Sequence, residues 1–488
     1  MSDRYAQVAL PLPLAAPYTY RIPATLGDRV APGARVVVPV RRRELIGVVV
    51  AVDVPAPGAT ARDILAAPDL EPAIPPSLLS TAEWVAGYYG APLGLTLRCM
   101  LPAGLWGESR VILALGSGRR PPGGTAGTLL DWLEKKGGAA AVSTAARALG
   151  RPLWDVVDRL ARVGAVDLRV EPVDTGGAIA TERVIALAGE RPTLLERDGL
   201  FRRRPKQRRL YEALEELGGE AQVRHVVEQL GFGPGVVRAL ASRGLARIGA
   251  AERVRDPFAA LPASPPPAQP TPDQQAALAA IEALGPGDGA LLIGVTGSGK
   301  TLVYLEAARR ALAAGRGAIV LVPEIGPTPQ TVSRFRGVFG DQVAVLHSGL
   351  SDGERADAWR LLRRGERRVA VGARSAVFAP VGNLGLIVVD EEHEASYKNG
   401  EAPRYQTRDV AAVRARIEGA RLLLGSATPS LESVARTESR LRLIRLPERV
   451  GARPLPPVEI VDLRSAPDRK STRLNSSHIQ KSRMPSSA

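Results

Sequence analysis

Gly294-Val295-Thr296-Gly297-Ser298-Gly299-Lys300-Thr301 lies between the apolar run Ala290–Val295 and a helical pattern beginning near Leu302. It fits GxxxxGK[ST] in the strand–loop–helix setting that this pattern requires. Gly294, Gly297 and Gly299 let backbone N–H groups converge on a β-phosphate at a helix N-terminus. Lys300 neutralises β/γ oxygens, and the Thr301 hydroxyl ligates magnesium. The expected ligand is therefore ATP with Mg²⁺.

Ninety residues on, Asp390-Glu391-Glu392-His393 follows the apolar run LGLIVV. Such a carboxylate pair falls at the C-terminal edge of a parallel sheet, the edge that also carries the phosphate loop. Asp390 is expected to hold magnesium and Glu391 to orient and activate the attacking water, because phosphoryl transfer mainly demands positioning and charge neutralisation. Gly425-Ser426-Ala427-Thr428 closes a further strand, RLLLGSA.

Around these motifs the pattern is strand, loop, helix: ALLIGV, AIVLVP, VAVLH, RVAVGA, LGLIVVDE and RLLLGSA predict a parallel sheet covered on both faces. One RecA-like nucleotide-binding lobe is assigned to 273–447. Before it, DPFAALPASPPPAQPTP at 256–272 reads as a Pro-rich linker. Two similar stretches, Thr128–Val170 and Pro205–Val254, each read as three short amphipathic helices and a β-like run. They make 108–255 two winged-helix-like α+β repeats, which either bind DNA or only space the domains. Residues 1–107 alternate apolar and polar positions between Pro and Gly breaks, as in Ala34–Pro39 and Leu45–Val50, and predict a small β-rich domain with helical periodicity from Thr81. The whole is a multidomain α/β chain.

A net charge of +15 favours a polyanionic partner, with nucleic acid first, although a generally Arg-rich composition gives the same number. The lone Cys99 excludes an intramolecular disulfide and a Cys-built metal site. No apolar run approaches the ~20 residues that span a bilayer, and the N-terminus lacks the pattern of a signal peptide. A cytoplasmic protein with no membrane partner is expected. The last eighteen residues, STRLNSSHIQKSRMPSSA (471–488), carry three basic residues and no acid and have no apolar periodicity. They read as a shifted frame or vector-derived tail, and the body is basic without them.

VPEIGPTPQ, LHSGLSDGER, GARSAVFAP, DEEHEASYK, PRYQTRD and GSATPSLES, in that order, resemble the bacterial replication-restart helicases of superfamily 2, the primosomal protein N-prime family, over nearly all of 1–470. The resemblance implies a 3′-to-5′ DNA helicase that recognises stalled forks and recruits primosome proteins, single-stranded DNA-binding protein and a replicative-helicase loader. It implies an adenine contact for Gln274 and a role for His393, Ser426 and Thr428 in coupling nucleotide state to movement. For Tyr397, Arg404 and Tyr405, in an aromatic-rich loop, and for Arg374, it implies DNA binding; the two tyrosines either stack on a base or pack in the core. Tyr18, Tyr20 and Arg62 align with a pocket for a leading-strand 3′ end, with Thr19 replacing its acid and Arg41 standing where Gly is frequent. Those tyrosines are either pocket or β-domain core.

The family continues into a Cys-rich region binding two structural Zn²⁺ ions and a second RecA-like lobe with an Arg-bearing motif; neither pattern occurs in these 488 residues. Residues 448–470 read as the start of the connection to them. The expected function is thus a truncated replication-restart helicase, probing forked DNA and poor at unwinding. The alternatives are another superfamily 2 repair translocase and an ATP-independent fork-binding scaffold.

Overall fold

The structure, a computed structural model, describes residues 3–451 apart from 42, 59, 70, 108–109, 119–122, 152, 172–180, 190, 253, 259–268 and 324–328. Residues 452–488, with most of the expected connection and all of the expected tail, lie outside the described residues. So do Glu324 and Ile325 of VPEI.

The chain opens with β1 (Arg4–Ala9), β2 (Tyr18–Ile22), β3 (Arg35–Val40) and β4 (Arg43–Val52), an antiparallel sheet ordered β2-β1-β4-β3. Alternating side chains bury Val8, Tyr20, Val36, Val38 and Val49 on one face. Arg41, in the tight turn joining β3 to β4, has φ +54°. This is the left-handed region that glycine favours.

Helix α1 (Pro76–Tyr88) begins five residues before the periodicity was expected, because Pro76 sits at the first helical position, where a missing N–H costs nothing. Its buried residues, Leu78, Leu79, Ala82 and Val85, join Leu97 and Met100 of α2 (Leu93–Met100). They share one continuous core with the motor domain that follows.

The two central repeats are β5 (Arg110–Leu115), α3 (Gly124–Lys135), β6 (Ala139–Ala141), α4 (Val142–Ala148), α5 (Trp154–Arg162) and β7 (Val166–Glu171), then β8 (Thr181–Leu187), α6 (Leu194–Phe201), α7 (Pro205–Glu216), β9 (Glu220–Gln222), α8 (Val223–Glu228), α9 (Pro234–Ser242) and β10 (Ala246–Glu252). Each contains more strand than expected. The strand preceding the helices, β5 or β8, is the central member of an antiparallel sheet ordered β6-β5-β7 or β10-β8-β9. Each repeat closes around a core of its own, with Leu129, Leu133 and Leu160 in the first and Leu210, Leu214 and Leu240 in the second.

The start of the expected linker is docked rather than free. Asp256 accepts from Arg367 at 2.8 Å and from Arg336, and Phe258 packs against the motor core.

The motor comprises α10 (Pro272–Glu282), β11 (Gly289–Gly294), α11 (Lys300–Ala313), β12 (Gly317–Leu321), α12 (Pro329–Phe339), β13 (Val343–Leu346), α13 (Asp352–Arg363), β14 (Val369–Gly372), β15 (Leu384–Val389), α14 (Thr407–Glu418), β16 (Arg421–Ser426), α15 (Leu431–Ala435) and β17 (Leu441–Leu446). Among the described residues its strands form one seven-stranded sheet, β13-β14-β12-β15-β16-β11-β17, with parallel pairing throughout. Helices α10, α11 and α12 cover one face. Helices α13 and α14, with α1 and α2 of the N-terminal domain, cover the other. The sheet is therefore buried on both sides, as its unbroken apolar strands require. No helix among the described residues is long and apolar enough to cross a membrane.

Candidate nucleotide and DNA sites

Helix α11 starts at Lys300, with Gly297 at φ +86° and Gly299 at φ +80° in the loop before it. Only glycine takes these values freely, and they turn loop N–H groups inward. Lys300 is nearly buried; its Nζ donates to the Gly294 carbonyl at 3.0 Å and lies 3.6 Å from Glu391 Oε1. Thr301 follows on the first turn, partly exposed.

Gln274 is placed differently from its expected adenine contact. It is 1% exposed, its amide oxygen accepts from Thr271 N at 2.9 Å, and its Nε2 donates to the Ser298 carbonyl at 2.9 Å. Both ends of the amide are spent inside the protein, so here Gln274 caps α10 and holds the phosphate loop.

Asp390 follows β15 at the same sheet edge. Its Oδ1 accepts from Tyr304 Oη at 2.9 Å and from Glu391 N at 3.0 Å. Burial pushes its carboxyl above the ordinary value, with neighbouring Glu391 adding to the rise against Tyr304 and Lys300. A desolvated carboxylate beside a second carboxylate, with one ammonium between loop and strand, has an unmet demand for positive charge. The residues thus fit a divalent cation. Among the described residues no cluster of three or more His, Cys, Asp or Glu is arranged to hold a metal ion by itself. Glu391 has φ +43°, a strained value for a residue with a Cβ.

The three expected coupling residues meet. His393 Nδ1 is 2.8 Å from Ser426 Oγ, which also accepts from Thr428 N at 3.0 Å, and Thr428 Oγ1 is 3.5 Å from His393 Nε2. Sequence reasoning passed over Glu392, which is fully buried and ties the same two motifs together. It accepts from Arg408 at 2.8 Å, Ser430 N at 2.7 Å, Ser430 Oγ at 3.0 Å and Ser433 Oγ at 2.8 Å. Both serines follow Gly425-Ser426-Ala427-Thr428 in the chain.

On the DNA side the aromatic-rich loop corrects an expectation. Tyr397 and Tyr405 are 1% and 2% exposed, and Tyr397 Oη donates to the Asp390 carbonyl at 2.7 Å. Neither ring offers a face to a base, so here both are core residues. Arg374 braces the loop by donating to the carbonyls of Ser396 at 3.2 Å and Lys398 at 2.9 Å. The Arg404 side chain is exposed. The loop is held from the N-terminal domain, since Gln406 N donates to Tyr89 Oη at 3.0 Å and Lys398 Nζ sits 5.3 Å over the Tyr89 ring.

In that domain Tyr18 is 45% exposed whereas Tyr20 is buried, donating to the Pro39 carbonyl at 3.3 Å, with burial pushing its hydroxyl up to about 12. Arg62 donates to the Arg41 carbonyl at 3.0 Å and lies close enough to Tyr20 to bias its ionisation. Tyr18, Arg41 and Arg62 are thus gathered at one place, with Tyr20 as the floor beneath them rather than a second exposed wall.

This fold, with the phosphate loop and the DEEH edge, defines a nucleotide-dependent helicase lobe, and residues 271–437 match the DEAD/DEAH box helicase family. Residues 7–102 match the 3′ DNA-binding domain (3′BD) of replication restart protein PriA. Over 92% of its length the chain is similar to "Replication restart protein PriA" of Bacillus subtilis (strain 168), 34% identical over 457 residues and 56% of that protein. It is likewise similar to the protein of that name from Synechocystis sp., 36% identical over 484 residues and 55% of that protein. The chain therefore spans about half the length of these curated relatives. Among solved structures, the Pyrococcus furiosus Hef helicase domain aligns with a TM-score of 0.28 and 21% identity, covering 36% of this chain and 37% of that one.

Proposed function

We propose that this chain is the front half of an ATP-driven 3′-to-5′ DNA helicase of replication restart, reading forked DNA through its N-terminal domain. The observation that carries this reading is the approach of Lys300 to Glu391 across the sheet edge, in a chain joined to a 3′ DNA-binding domain.

Lys300 and the loop N–H groups bind the phosphates, and Thr301 with Asp390 would hold Mg²⁺, which when bound supplies charge neutralisation at the β- and γ-oxygens. Glu391 positions water. His393, Ser426 and Thr428 carry the state of that edge into β16 through their shared hydrogen bonds. Tyr18, Arg41 and Arg62 receive the 3′ end, and Arg404 meets the strand. Primosome proteins, single-stranded DNA-binding protein and a helicase loader are the partners this reading implies, in the cytoplasm.

The test measures fork binding and ATP binding on the same preparations. Forked DNA with a free 3′ end should bind more tightly than the same fork with that end blocked, at matched salt. Lys300→Ala should lose ATP binding and keep fork binding. Equal affinity for both forks removes the pocket assignment, and loss of both activities in Lys300→Ala contradicts the division of labour between the domains.

A further inference from the structure

The chain leaves β17 at Leu446 and immediately passes over the phosphate loop. Val450 N donates to the Gly297 carbonyl at 3.1 Å. A methyl group built on Gly299 would stand 3.2 Å from Val450 Cγ2, and one on Gly297 would stand 3.9 Å from Arg449 Cγ. Residues 449–450 thus lie in van der Waals reach of both left-handed glycines of the loop.

The contact has a definite electrostatic sense. A phosphate loop works by turning successive N–H groups inward, which turns the intervening carbonyls outward, where each needs a donor. Two consecutive carbonyls have one: Val450 N serves Gly297, and Gln274 Nε2 serves Ser298. The donors arrive from opposite ends of the motor, one from the first turn of α10 and one from the segment after β17. Between them they hold the loop in its anion-binding form. Arg449 is partly exposed beside this loop.

We propose that Arg449 and Val450 belong to the nucleotide site: the Val450 N–H preorganises the loop, and the Arg449 guanidinium contacts a nucleoside di- or triphosphate bound there. The proposal rests on the reading of Lys300 and its loop as the phosphate site. It also makes the segment after β17 a reporter of occupancy. Residues 449–450 are tethered to the loop by the Val450 hydrogen bond.

The test is equilibrium titration of the full chain with ADP carrying a fluorescent N-methylanthraniloyl group. Val450→Pro, which deletes the N–H, should weaken binding about fivefold, the worth of one neutral hydrogen bond. Arg449→Ala should weaken it about tenfold, as for a hydrogen bond to a charged group. Val450→Ala keeps the N–H and should bind like the parent. Arg449→Ala alters only a surface side chain, so its result stands even if Val450→Pro misfolds. Parent-like binding by both Val450→Pro and Arg449→Ala, alongside loss in Lys300→Ala, overturns the proposal alone. Equal weakening by Val450→Ala and Val450→Pro overturns the N–H role. Parent-like binding by Lys300→Ala overturns the phosphate-site reading beneath it.

Discussion

A single missing methyl sets the position of the Asp390 carboxylate. A Cβ on Gly425 would fall 1.8 Å from Tyr304 Oη, the hydroxyl that donates to Asp390. Gly425→Ala must therefore displace Tyr304 from a packed interior, at an overpacking cost of about 1–3 kcal/mol. The expected result is a lowered urea midpoint for Gly425→Ala, and an unchanged midpoint would place Tyr304 elsewhere. Glu392 gives a sharper case. Burial alone would raise its carboxyl, but hydrogen bonds from Arg408, Ser430 and Ser433 outweigh that and hold it below the ordinary range. Its stabilisation is then fully present above the unfolded value, about 4.3, and is lost as pH falls through the lower folded value. Glu392→Gln should cost about 3 kcal/mol at neutral pH, because Arg408 is left buried without its counter-charge. The gap between parent and variant should shrink in acid; a gap that widens in acid would reverse the sign. The motif DEEH was legible in the sequence, but its third residue was not. Its serine partners lie 38 and 41 residues away, and no spacing rule connects a strand-end glutamate to a serine after another strand.

Elements were legible where burial is two-sided. β11, β12, β13, β14, β15 and β16 appear as unbroken apolar runs because helices cover both faces of the sheet. β17 escaped notice: it is an edge strand in which Leu441, Ile444 and Leu446 are buried while Arg442 and Arg445 are exposed. Strands β5 and β8 stand apart from the helices they serve, so a reading by helical repeats began after them. The cores separate the elements further. Each central repeat buries its own leucines, whereas α1 and α2 bury theirs against the motor. A fragment of residues 110–252 should therefore keep its two cores closed to an apolar dye. A fragment of 1–107 should expose Leu78, Val85, Leu97 and Met100 and bind a dye specific for apolar surface. Dye binding by 110–252 and none by 1–107 would mean that the shared core is not what holds α1 and α2. The aromatic-rich loop follows the same logic. From the motif its tyrosines read either as base-stacking or as core residues, and Tyr397 and Tyr405 pack in the seam that joins α1 to α14.

The whole molecule joins a net positive charge, a segment matching a 3′ DNA-binding domain and a nucleotide-binding lobe. Charge and motifs made the nucleic-acid and nucleotide classes legible. The docking of the N-terminal helices on the motor was not, because it depends on which of two apolar surfaces meet, and sequence records only that each is apolar. Under the proposed function, this lobe holds the phosphates and a second lobe completes the reaction. A motor of the proposed kind would close its site between two lobes, and an arginine finger from the second would be worth about 10³–10⁵ in rate. One lobe also has nothing against which to alternate its grip on a strand. The direct measurement is DNA-stimulated ATP hydrolysis and unwinding of a forked duplex by this chain, beside the same chain extended with the second lobe of a relative. Unwinding is expected of the extended protein alone, with ATP turnover by this chain lower by about 10³ or more. Comparable unwinding by the two would contradict that expectation.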